Sequence, residues 1–345
     1  MSDWMRYSCQ IALPGFDDEA QQKLSQAKVL IVGMGGLGCP VAQYLVSSGI
    51  GTIGFADYDV VSIKNLHRQI LYTPADEGEK KIVAASKWLR SQNPDIVINE
   101  HDLTVSPENV VSLIALYDIV VDCTDNFETR YLLNDACVLV EKPLVYGAIY
   151  QYEGQVAVWN TKNQDGGRSP NYRDLYPNVN AAAVPNCADG GVIPTIAGII
   201  GCMQANEVIK LITKTGNVLA GKVLVFDAQT MNSRVIKMGS QTKTNITTLP
   251  KQASVLEIVR NDLEKLDGYL LIDVRTTEER FAFNIGGMHL PLQEIDRHIG
   301  SFNHKTLVFY CASGKRSKQA AQIAKKHHPD LLVYSLTDGT NDWQH

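Results

Sequence analysis

Val29-Leu-Ile-Val32 runs directly into Gly33-Met-Gly-Gly-Leu-Gly38, and this stretch decides the fold of the first half of the chain. The apolar run predicts a buried strand, and the glycines predict a tight turn in which the backbone can approach a phosphate. A helical pattern follows over residues 37–48, Gly49 can end that helix, and Thr52-Ile-Gly-Phe-Ala56 predicts a second strand. This order of elements is typical of a nucleotide-binding α/β domain. The alternative is a turn that serves only strand-to-helix packing.

Acidic and basic residues follow the second predicted strand. Asp57 ends that strand, at the position from which a carboxylate can bind a ribose hydroxyl. Cationic side chains come next, at Arg68, Lys80 and Lys81. A triphosphate needs such groups and a dinucleotide does not, because they stabilise the charge that builds on departing pyrophosphate. The sequence therefore favours ATP over NAD, unless these three cations are solvated surface charges.

A further buried strand, predicted at residues 118–122, leads into Cys123-Thr-Asp125-Asn126. Ligands of open α/β sheets bind at the carboxyl ends of the strands. We therefore expect Asp125 to hold Mg²⁺ or the nucleotide there. The structural alternative for Asp125 is that it caps a helix beginning near Phe127.

A second site is predicted near the other end of the chain. Cys311 opens Cys-Ala-Ser-Gly-Lys-Arg-Ser between a strand-like run at 306–310 and a helical pattern at 317–326. Such a turn points backbone N–H groups at the sulfur, and Lys315 and Arg316 add positive charge, so the site favours a thiolate or a persulfide anion.

Two alternatives apply to Cys311. A cysteine-dependent phosphatase has a Cys-x5-Arg loop, whereas this loop is Cys-x4-Arg. The ring of N–H groups is therefore one residue shorter, which suits a sulfur atom better than a tetrahedral phosphate. The other alternative is an inert buried cysteine, for which basic neighbours and Gly314 are poor company.

The composition excludes several classes of protein. The 345 residues are 45% hydrophobic and carry a formal net charge of −5, which predicts folded domains with no general attraction for nucleic acid or anionic membrane. The N-terminus has no apolar leader, and no window reaches the ~18 apolar residues of a membrane span. We expect a cytoplasmic protein without nucleic-acid or membrane partners. Seven cysteines without a Cys-x-x-Cys pair argue against disulfides, and four of them are expected to be core fillers: Cys39, Cys123, Cys137 and Cys202.

A polar, proline-terminated stretch at residues 239–252 predicts a linker. We therefore divide the chain into a first domain at 1–238 and a second at 253–345. The elements predicted for the second are a helix at 255–266 and strands at 269–272, 306–310 and 331–334. These elements predict a small α/β domain.

The first domain resembles the MoeB/ThiF family of adenylating enzymes, relatives of ubiquitin-activating enzyme, over about residues 6–238. The motifs that carry the resemblance are Arg6-Tyr-Ser-x-Gln10, Gly33 to Gly38, Asp57-x-Asp59, Asn65-Leu-x-Arg68-Gln69, Lys81 and Cys123-Thr-Asp125-Asn126. The resemblance implies a Rossmann-like fold with ATP at the glycine loop, Asp57 on the ribose, Arg68 and Lys81 on the phosphates and Asp125 organising Mg²⁺. The other nucleotide contacts that it implies are Gly33, Gly35, Gly36, Gly38, Asp59, Asn65, Gln69, Asn126 and Arg6.

The family also implies a substrate and an assembly. The substrate is the C-terminal glycine carboxylate of a small ubiquitin-like sulfur carrier of the MoaD/ThiS type, ending in Gly-Gly, which becomes an acyl-adenylate with release of pyrophosphate. Members are typically homodimers. Cys187, between a polar loop at 161–186 and a predicted helix at 195–212, matches the family cysteine that can take the activated carrier covalently. The alternative is a small buried cysteine beside a helix start.

The sequence departs from the family at two places. Many members bind a structural zinc through two Cys-x-x-Cys pairs, but Asn171-Tyr-Arg-Asp174 replaces the first pair and the second is missing after Met231. No structural zinc is therefore expected. Cys9 stands where the family has a second arginine that reaches across the dimer to the nucleotide, although Arg6 remains. A thiol does not replace a guanidinium, so either another cation substitutes or adenylation is slower.

The tail resembles a rhodanese domain. The matching pieces are Asp273-Val-Arg275, the stretch from Gly286 to Pro291, the Cys311 loop, Asp338-Gly339 and Trp343. Asp273 and Arg275 are expected to be structural partners. The resemblance implies that Cys311 carries a persulfide, loaded by a cysteine desulfurase or by thiosulfate.

The two halves together predict one activity. The first domain would adenylate the carrier, and the Cys311 persulfide would attack the adenylate directly or through Cys187 to give the carrier thiocarboxylate, for molybdopterin, thiamine, thiolated tRNA or a related product. One alternative is a Rossmann oxidoreductase with a redox-sensing tail. The other is a carrier-binding or scaffold protein in which Cys9 and the lost zinc ligands mark weakened catalysis.

Overall fold

Two compact units make up the computed structural model, which describes residues 4–177, 190–249, 255–299, 302, 306–328, 330–337 and 339–340. The described residues up to Leu249 belong to the first unit, and those from Val255 onward belong to the second.

The first unit is built on one eight-stranded sheet. Its strands are β1 Lys28–Val32, β2 Thr52–Ala56, β3 Val97–His101, β4 Ile119–Asp122, β5 Leu144–Tyr150, β6 Glu153–Trp159, β7 Lys222–Asp227 and β8 Asn232–Lys237. The spatial order is β3-β2-β1-β4-β5-β6-β7-β8. The first five strands in this order, β3, β2, β1, β4 and β5, pair in parallel with their neighbours. The remaining pairs, from β5 to β8, are antiparallel.

Helices cover both faces of this sheet. They are α1 Ser8–Ile11, α2 Asp18–Gln26, α3 Gly38–Ser47, α4 Lys81–Gln92, α5 Val110–Ala115, α6 Phe127–Leu139, α7 Tyr172–Leu175 and α8 Pro194–Thr213. Alternate residues of β1 point to opposite faces, so Val29 and Ile31 join one hydrophobic cluster while Leu30 and Val32 join another. Burial on both faces explains why the β1 sequence is a continuous apolar run.

The predicted strand, glycine turn, helix and strand are confirmed. The second strand has the predicted bounds, and the first strand begins one residue early at Lys28. Helix α3 ends at Ser47, and Gly49 follows with φ +85°, a left-handed backbone that favours glycine. The α/β fold class is therefore confirmed.

Helix α8 corrects one expectation from the sequence. It is long and apolar enough to cross a membrane by length and composition, although no such window was predicted. The helix packs against α3 and against strands β5 and β6, and two of its polar residues, Gln204 and Glu207, are themselves buried. These contacts are those of a core helix. A core helix can be as long and as apolar as a membrane-spanning helix, because it is packed inside the protein.

The start of the predicted linker is bonded to the first unit. The Asn163 side chain donates to the Ser240 carbonyl at 2.7 Å, and the Gln241 side chain donates to Asp165 at 2.9 Å. Leu249 still packs against the hydrophobic cluster that contains Trp159. Residues 240–249 are therefore not the free tether that their composition suggests, because their polar side chains find partners on the surface of the unit.

Asp174 makes the strongest of these attachments. Its carboxylate accepts hydrogen bonds from Thr242 Oγ1 at 2.7 Å, Lys243 N at 2.8 Å and Thr244 Oγ1 at 2.7 Å, and from Asn171 N at 2.8 Å. Burial favours the neutral acid, but these hydrogen bonds outweigh it and lower the pKa of Asp174. We call this arrangement of Asn171, Asp174 and residues 242–244 the Asp174 clasp.

The second unit is a smaller parallel sheet with helices. Its strands are β9 Leu256–Ile258, β10 Tyr269–Asp273, β11 Met288–His289, β12 Thr306–Tyr310 and β13 Leu332–Leu336, in the order β11-β10-β12-β13-β9. Its helices are α9 Arg260–Leu263, α10 Thr277–Ala282, α11 Ile295–His298 and α12 Lys315–His327. The predicted small α/β domain is confirmed.

The helix predicted over residues 255–266 is wrong in its first half. Residues 256–258 form β9, which pairs in parallel with the edge of β13, and a helical turn follows only at Arg260–Leu263. The apolar spacing of Val255, Ile258 and Val259 fits a helix, but these residues are β-branched and an open sheet edge was available to pair them. That edge is supplied by residues far along the chain.

Candidate active sites

The glycine loop lies where the strand order of the first sheet reverses, because β1 has β2 on one side and β4 on the other. A Cβ on Gly33 would lie 2.7 Å from the Cys123 carbonyl oxygen, and one on Gly38 would lie 2.1 Å from that of Gly33. These two glycines are therefore required for packing alone. Gly35 and Gly36 are not so crowded, and they leave the middle of the loop open to a ligand.

Arg68 and Gln69 lie over the middle of the glycine loop. A Cβ on Gly36 would lie 3.4 Å from Arg68 Cγ, and one on Gly35 would lie 3.5 Å from Gln69 Nε2. Among the described residues, the buried Oε1 of Gln69 has no hydrogen-bond partner. A buried acceptor without a partner beside a glycine loop fits a site that a polar ligand completes.

Asp57, which was predicted to bind the ribose of ATP, also holds the glycine loop in place. Its Oδ2 accepts from the Met34 N–H at 2.7 Å, and its Oδ1 accepts from the Asp59 N–H at 2.8 Å. Each carboxylate oxygen has a second lone pair. Asp57 can therefore hold the glycine loop and still accept a bond from a ribose hydroxyl.

Lys81 is not the solvated surface charge that was one alternative for it. It is 4% exposed, and its Nζ lies 3.0 Å from Asp59 Oδ2. Its neighbour Lys80 instead pairs with Asp102 at 3.0 Å and keeps a half-exposed side chain. Lys81 is a buried lysine in the first turn of a helix, and its ammonium faces a carboxylate. It could exchange the Asp59 carboxylate for a phosphate, because a buried ammonium needs an anionic partner.

Asp125 does not cap the helix after β4, so its structural alternative is wrong. Asn126 is the N-cap of α6 and accepts from Thr129 N at 2.9 Å, whereas Asp125 is exposed. Burial raises the pKa of Tyr58, and the negative charges of Asp59, Asp125 and Asp57 raise it further. The carboxylates of Asp57, Asp59 and Asp125 all raise the pKa of the Tyr58 phenol, so the three lie near one another at this edge of the sheet.

Arg6 does not reach this site within its own chain. Its Nη1 donates to the carbonyl of Gln92, the last residue of α4, whereas Lys81 is the first residue of that helix. The two ends of α4 are separated by about 16 Å at 1.5 Å per residue. Cys9 is exposed. The described hydrogen bond of Arg6 therefore lies at the opposite end of α4 from Lys81.

A structural zinc does not fit at residues 171–174. Zinc sites of this kind use four Cys or His ligands. Here the Asp174 carboxylate is taken up by the clasp, and Asn171 accepts from the Arg173 N–H at 2.9 Å. Within the described ranges, no cluster of three His, Cys, Asp or Glu side chains could hold a metal ion.

Cys311 directly follows β12, and hydrogen bonds from three parts of the unit hold its loop. The thiol donates to Ser317 Oγ at 3.6 Å, and Ser317 Oγ is in turn bonded to the Gly314 carbonyl and to Ser335 Oγ, each at 2.9 Å. Thr340 N donates to the Cys311 carbonyl at 2.9 Å. Cys311 has no exposed surface.

Two described arginines of the second site, Arg275 and Arg316, are paired with carboxylates. Both oxygens of Glu279 bond to Arg316, which raises the pKa of Arg316 and lowers that of Glu279 to about 2. Arg275 forms a buried bidentate pair with Asp273, with Nη2 at 2.7 Å from Oδ2, as their predicted role as structural partners requires. The sequence suggested that Arg316 is a free positive charge beside the sulfur. In the structure, the Glu279 carboxylate neutralises it instead.

Three residues at these sites were missed from the sequence. Ser317 contacts the Cys311 sulfur, Glu279 neutralises Arg316, and Arg130 bonds to the Thr124 carbonyl just before Asp125. The capping-box pattern Thr276-x-x-Glu279 was a usable signal for Glu279, since it marks the start of α10. No local pattern marks the contacts of Arg130.

Four predicted positions cannot be placed. Cys187, Asp338 and Trp343 lie outside the described residues, and so does the side chain of Lys315. Of the four cysteines expected in the core, Cys39, Cys123 and Cys137 are buried, while Cys202 is only partly buried. Burial raises the pKa of Cys39 to about 12 and that of Cys123 well above its ordinary value, so neither is a thiolate.

The fold and the sites define a two-part α/β protein, with a nucleotide-type glycine loop on one sheet and a cysteine loop on the other. The chain belongs to the ThiF family, whose model matches residues 7–248, and a rhodanese-like domain matches residues 256–345. The rhodanese match favours the sulfur-transfer interpretation of the Cys311 loop over the phosphatase alternative.

Relatives share both parts. The chain is 37% identical to the adenylyltransferase and sulfurtransferase MOCS3 of Drosophila willistoni, over 99% of this chain and 83% of that protein. It is 39% identical to the probable adenylyltransferase/sulfurtransferase MoeZ of Mycobacterium tuberculosis (strain CDC 1551 / Oshkosh), over 93% of this chain and 88% of that protein. These names match the predicted activity and not the oxidoreductase alternative.

Solved structures share the fold of the first unit. E. coli MccB with MccA-N7isoASN aligns with a TM-score of 0.62 at 23% identity, over 70% of this chain and 74% of that one. E. coli MccB with ATP aligns with a TM-score of 0.58 at 24% identity, over 66% and 68%. The combination of an adenylating domain and a rhodanese domain, at this identity to named relatives, makes the chain an enzyme of the adenylyltransferase and sulfurtransferase type.

Proposed function

We propose that this protein uses ATP to adenylate the C-terminal glycine of a small ubiquitin-like sulfur carrier, and then transfers sulfur to that carrier from a persulfide on Cys311. The observation that carries the proposal is the placement of Arg68 and Gln69 on an open glycine loop, with the buried Lys81 paired to Asp59 beside Asp57, which holds that loop. The rhodanese-like match and the full-length relatives support the second half of the proposal.

In the adenylation step, a carboxylate oxygen of the carrier attacks the α-phosphorus of ATP, and the bond to pyrophosphate breaks. Positive charge near the departing group stabilises the transition state most. Arg68 lies on the glycine loop, and Lys81 lies at the N-terminus of α4, where a rotation of its side chain would move Nζ from Asp59 to a phosphate. Asp57 keeps the loop in place through Met34 N.

Mg²⁺ would be held by Asp125 together with the nucleotide phosphates. This ion usually binds to one or two carboxylates plus substrate phosphates, so a site without a three-carboxylate cluster suits it. Its role would be to neutralise the pyrophosphate charge. The exposed Asp125 and the nearby Asp59 are the carboxylates available for it.

In the sulfur step, the Cys311 thiolate first takes a sulfane sulfur from a cysteine desulfurase persulfide or from thiosulfate, which leaves as a thiol or as sulfite. The terminal sulfur then attacks the acyl carbon of the adenylate, and AMP leaves. The resulting acyl disulfide is cleaved by a second thiol, which forms a disulfide with Cys311 and releases the thiocarboxylate. Cys187 is our candidate for that thiol or for an earlier covalent carrier adduct.

We also propose that the enzyme works as a homodimer in the cytoplasm. The carbonyl of Gln92 holds Arg6 at the far end of α4, so a role for Arg6 at the nucleotide needs the second protomer. Reduced, unpaired cysteines are the expected state of a cytoplasmic protein.

Pyrophosphate exchange tests the adenylation half. We expect incorporation of labelled pyrophosphate into ATP only when a Gly-Gly-ended carrier is present, and Arg68→Ala should lower it about 100-fold. Arg90→Ala is the matched control, because Arg90 lies at the exposed end of α4. Absence of exchange with every MoaD-like and ThiS-like carrier tested would overturn adenylation and favour the scaffold alternative.

Thiosulfate-to-cyanide sulfur transfer tests the other half. Cys311→Ala should abolish it and leave carrier-dependent exchange intact. Cys202→Ala is the control, since that cysteine is partly buried in the first unit. Unchanged sulfur transfer in Cys311→Ala would assign the reactive thiol elsewhere.

A further inference from the structure

Arg130 is a buried arginine directly beneath the turn that carries Asp125. It stands in the first turn of α6 and is 7% exposed. Its Nη2 donates to the Thr124 carbonyl at 3.0 Å, and its Nε lies 3.5 Å from Asp122 Oδ2. The side chain therefore reaches back from the helix to the end of β4.

Asp122 closes the same turn from the strand side. It has no exposed surface, and its Oδ1 accepts from Thr124 N at 2.9 Å and from Thr124 Oγ1 at 2.6 Å. Burial raises the pKa of Asp122, and the Arg130 charge works against that rise. A carboxylate in this position is stable only when it has a paired cation.

Aromatic rings hold the guanidinium in place. Its Cζ lies 5.1 Å from the centre of the Tyr146 ring, 5.6 Å from that of Phe127 and 5.9 Å from that of Tyr172. These rings leave the planar group little freedom to rotate, and cation–π attraction adds to its retention. Arg130 is thus fixed relative to the sheet and not only to its own helix.

A second buried side chain holds the turn from the opposite face of the sheet. Gln204 of α8 has no exposed surface, and its Nε2 donates to the Asp122 carbonyl at 2.8 Å. Its Oε1 accepts a weak bond from Cys123 Sγ at 3.9 Å. Each residue from Asp122 to Thr124 therefore has a buried side-chain partner, and Asp125 is the first residue beyond them.

We propose that Arg130 is a positioning residue for adenylation, and that its role is to fix Thr124 so that Asp125 faces the nucleotide and its metal. This rests on the proposed function, in which Asp125 holds Mg²⁺. An apolar side chain would fill the same space without the desolvation cost of a buried ion pair. The Arg130–Asp122 pair does something that an apolar side chain could not do. It fixes the direction of the Thr124 carbonyl, immediately before the carboxylate of Asp125 that would bind the metal.

The test compares Arg130→Met and Arg130→Lys in the full-length protein. We expect Arg130→Met to lower kcat for carrier-dependent pyrophosphate exchange about 10- to 100-fold and to raise the Mg²⁺ concentration for half-maximal rate, because a small misplacement of a reacting group costs that much. Arg130→Lys should recover part of both effects, since it keeps the charge but not the fork of donors.

Arg173→Met is the matched control. Like Arg130, Arg173 lies against a buried acid and an aromatic ring. It pairs bidentately with Asp135 of α6, and its Cζ lies 4.5 Å from the centre of the Tyr131 ring. Among the described residues, its hydrogen bonds are to Asn171 and Asp135 and not to the turn from 122 to 126. We expect Arg173→Met to lower the melting temperature comparably and to leave the Mg²⁺ dependence unchanged.

Each outcome decides the matter. If Arg130→Met and Arg173→Met lose melting temperature alike and keep the wild-type kcat and Mg²⁺ dependence, Arg130 is structural only. If Arg130→Met does not fold, Arg130→Lys and Thr124→Val carry the test, and wild-type kinetics in both overturn the proposal. If the wild-type protein itself shows no exchange, the proposed function fails and the positioning role fails with it.

Discussion

Glu279 and Arg316 form a bidentate ion pair, in which both Oε–Nη distances are 2.6 Å. The pair joins the first turn of α10 to the first turn of α12, the helix that follows the Cys311 loop. Glu279 also accepts from Thr276 N at 3.0 Å as part of a capping box. One of the two positive charges that follow Cys311 in the sequence, that of Arg316, is therefore shared with a carboxylate.

We predict that Glu279→Gln speeds the alkylation of Cys311. The amide keeps the capping box but no longer neutralises Arg316, whose full charge then favours the nucleophilic form of the sulfur. The rate of Cys311 alkylation, measured as a profile against pH, should therefore be higher in Glu279→Gln than in the wild type. Glu278→Gln, at the exposed neighbouring position, should leave the profile unchanged. Identical profiles in all three proteins would contradict the prediction.

The same pair gives a stability prediction at acid pH. The pKa of Glu279 is lowered to about 2, so its stabilising contribution is complete above the unfolded pKa of about 4.3 and is lost as the pH falls toward 2. We expect Glu279→Gln to cost about 1 kcal/mol in the free energy of unfolding at pH 7 and almost nothing at pH 2. Urea titrations at both pH values measure this. An equal cost at both would show that charge is not involved.

Lys80 and Lys81 offer a matched pair of lysines on one helix start. Lys81→Met should lower pyrophosphate exchange about 100-fold, because the buried ammonium that would leave Asp59 for a phosphate is lost. Lys80→Met removes an exposed pair with Asp102 and should change the rate less than about twofold. Equal loss in the two variants would place the phosphate cation elsewhere.

The Asp174 clasp should stabilise the first unit without a metal. Asp174→Ala leaves the donors of Asn171 and residues 242–244 without their acceptor, and we expect a cost of about 2 kcal/mol in the free energy of unfolding. Hydrogen exchange at residues 242–244 should become faster. Asp165→Ala, which loses bonds to Gly167 N and Gln241 at an exposed site, is the control and should destabilise the unit much less.

Metal removal completes this test. Because the clasp stands where zinc would need four ligands, prolonged treatment with a chelator should leave the melting temperature unchanged. The lowered pKa of Asp174 gives a pH dependence as well, since its contribution is present above the unfolded pKa of about 3.9 and is lost as the pH falls below it. A melting temperature that drops with chelator would refute a metal-free clasp.

Ser317 should matter for sulfur transfer although it lies outside the Cys-x4-Arg motif. Its hydroxyl is 3.6 Å from Cys311 Sγ and can turn to donate to a thiolate or persulfide. We predict that Ser317→Ala lowers the rate of thiosulfate-to-cyanide transfer about tenfold, the value of one hydrogen bond to a charged group. Ser313→Ala, at an exposed position of the same loop, is the control. Equal rates in both variants would rule out this hydrogen bond.

The sequence by itself determined the local elements and the chemistry that they carry. Residues 29–38 specify a buried strand and a glycine turn because their apolar run and their glycines act within a few residues of each other. The same holds for the strand at 306–310 and the cysteine that follows it. Asp57 and Asp125 were predicted because each comes just after a strand, and Arg68 and Lys81 were predicted from their charge beyond the second strand.

Only the tertiary structure decided which partners these residues have. Glu279 and Arg316, Lys81 and Asp59, and Asp174 and residues 242–244 are all far apart in the chain, and no local pattern encodes such pairs. The same reason explains why a helix was wrongly predicted at residues 256–258. Their apolar residues have helical spacing, but they pair with the free edge of β13 and form a strand. Local propensities are worth tenths of a kcal/mol per residue, and burial and pairing across the chain exceed them.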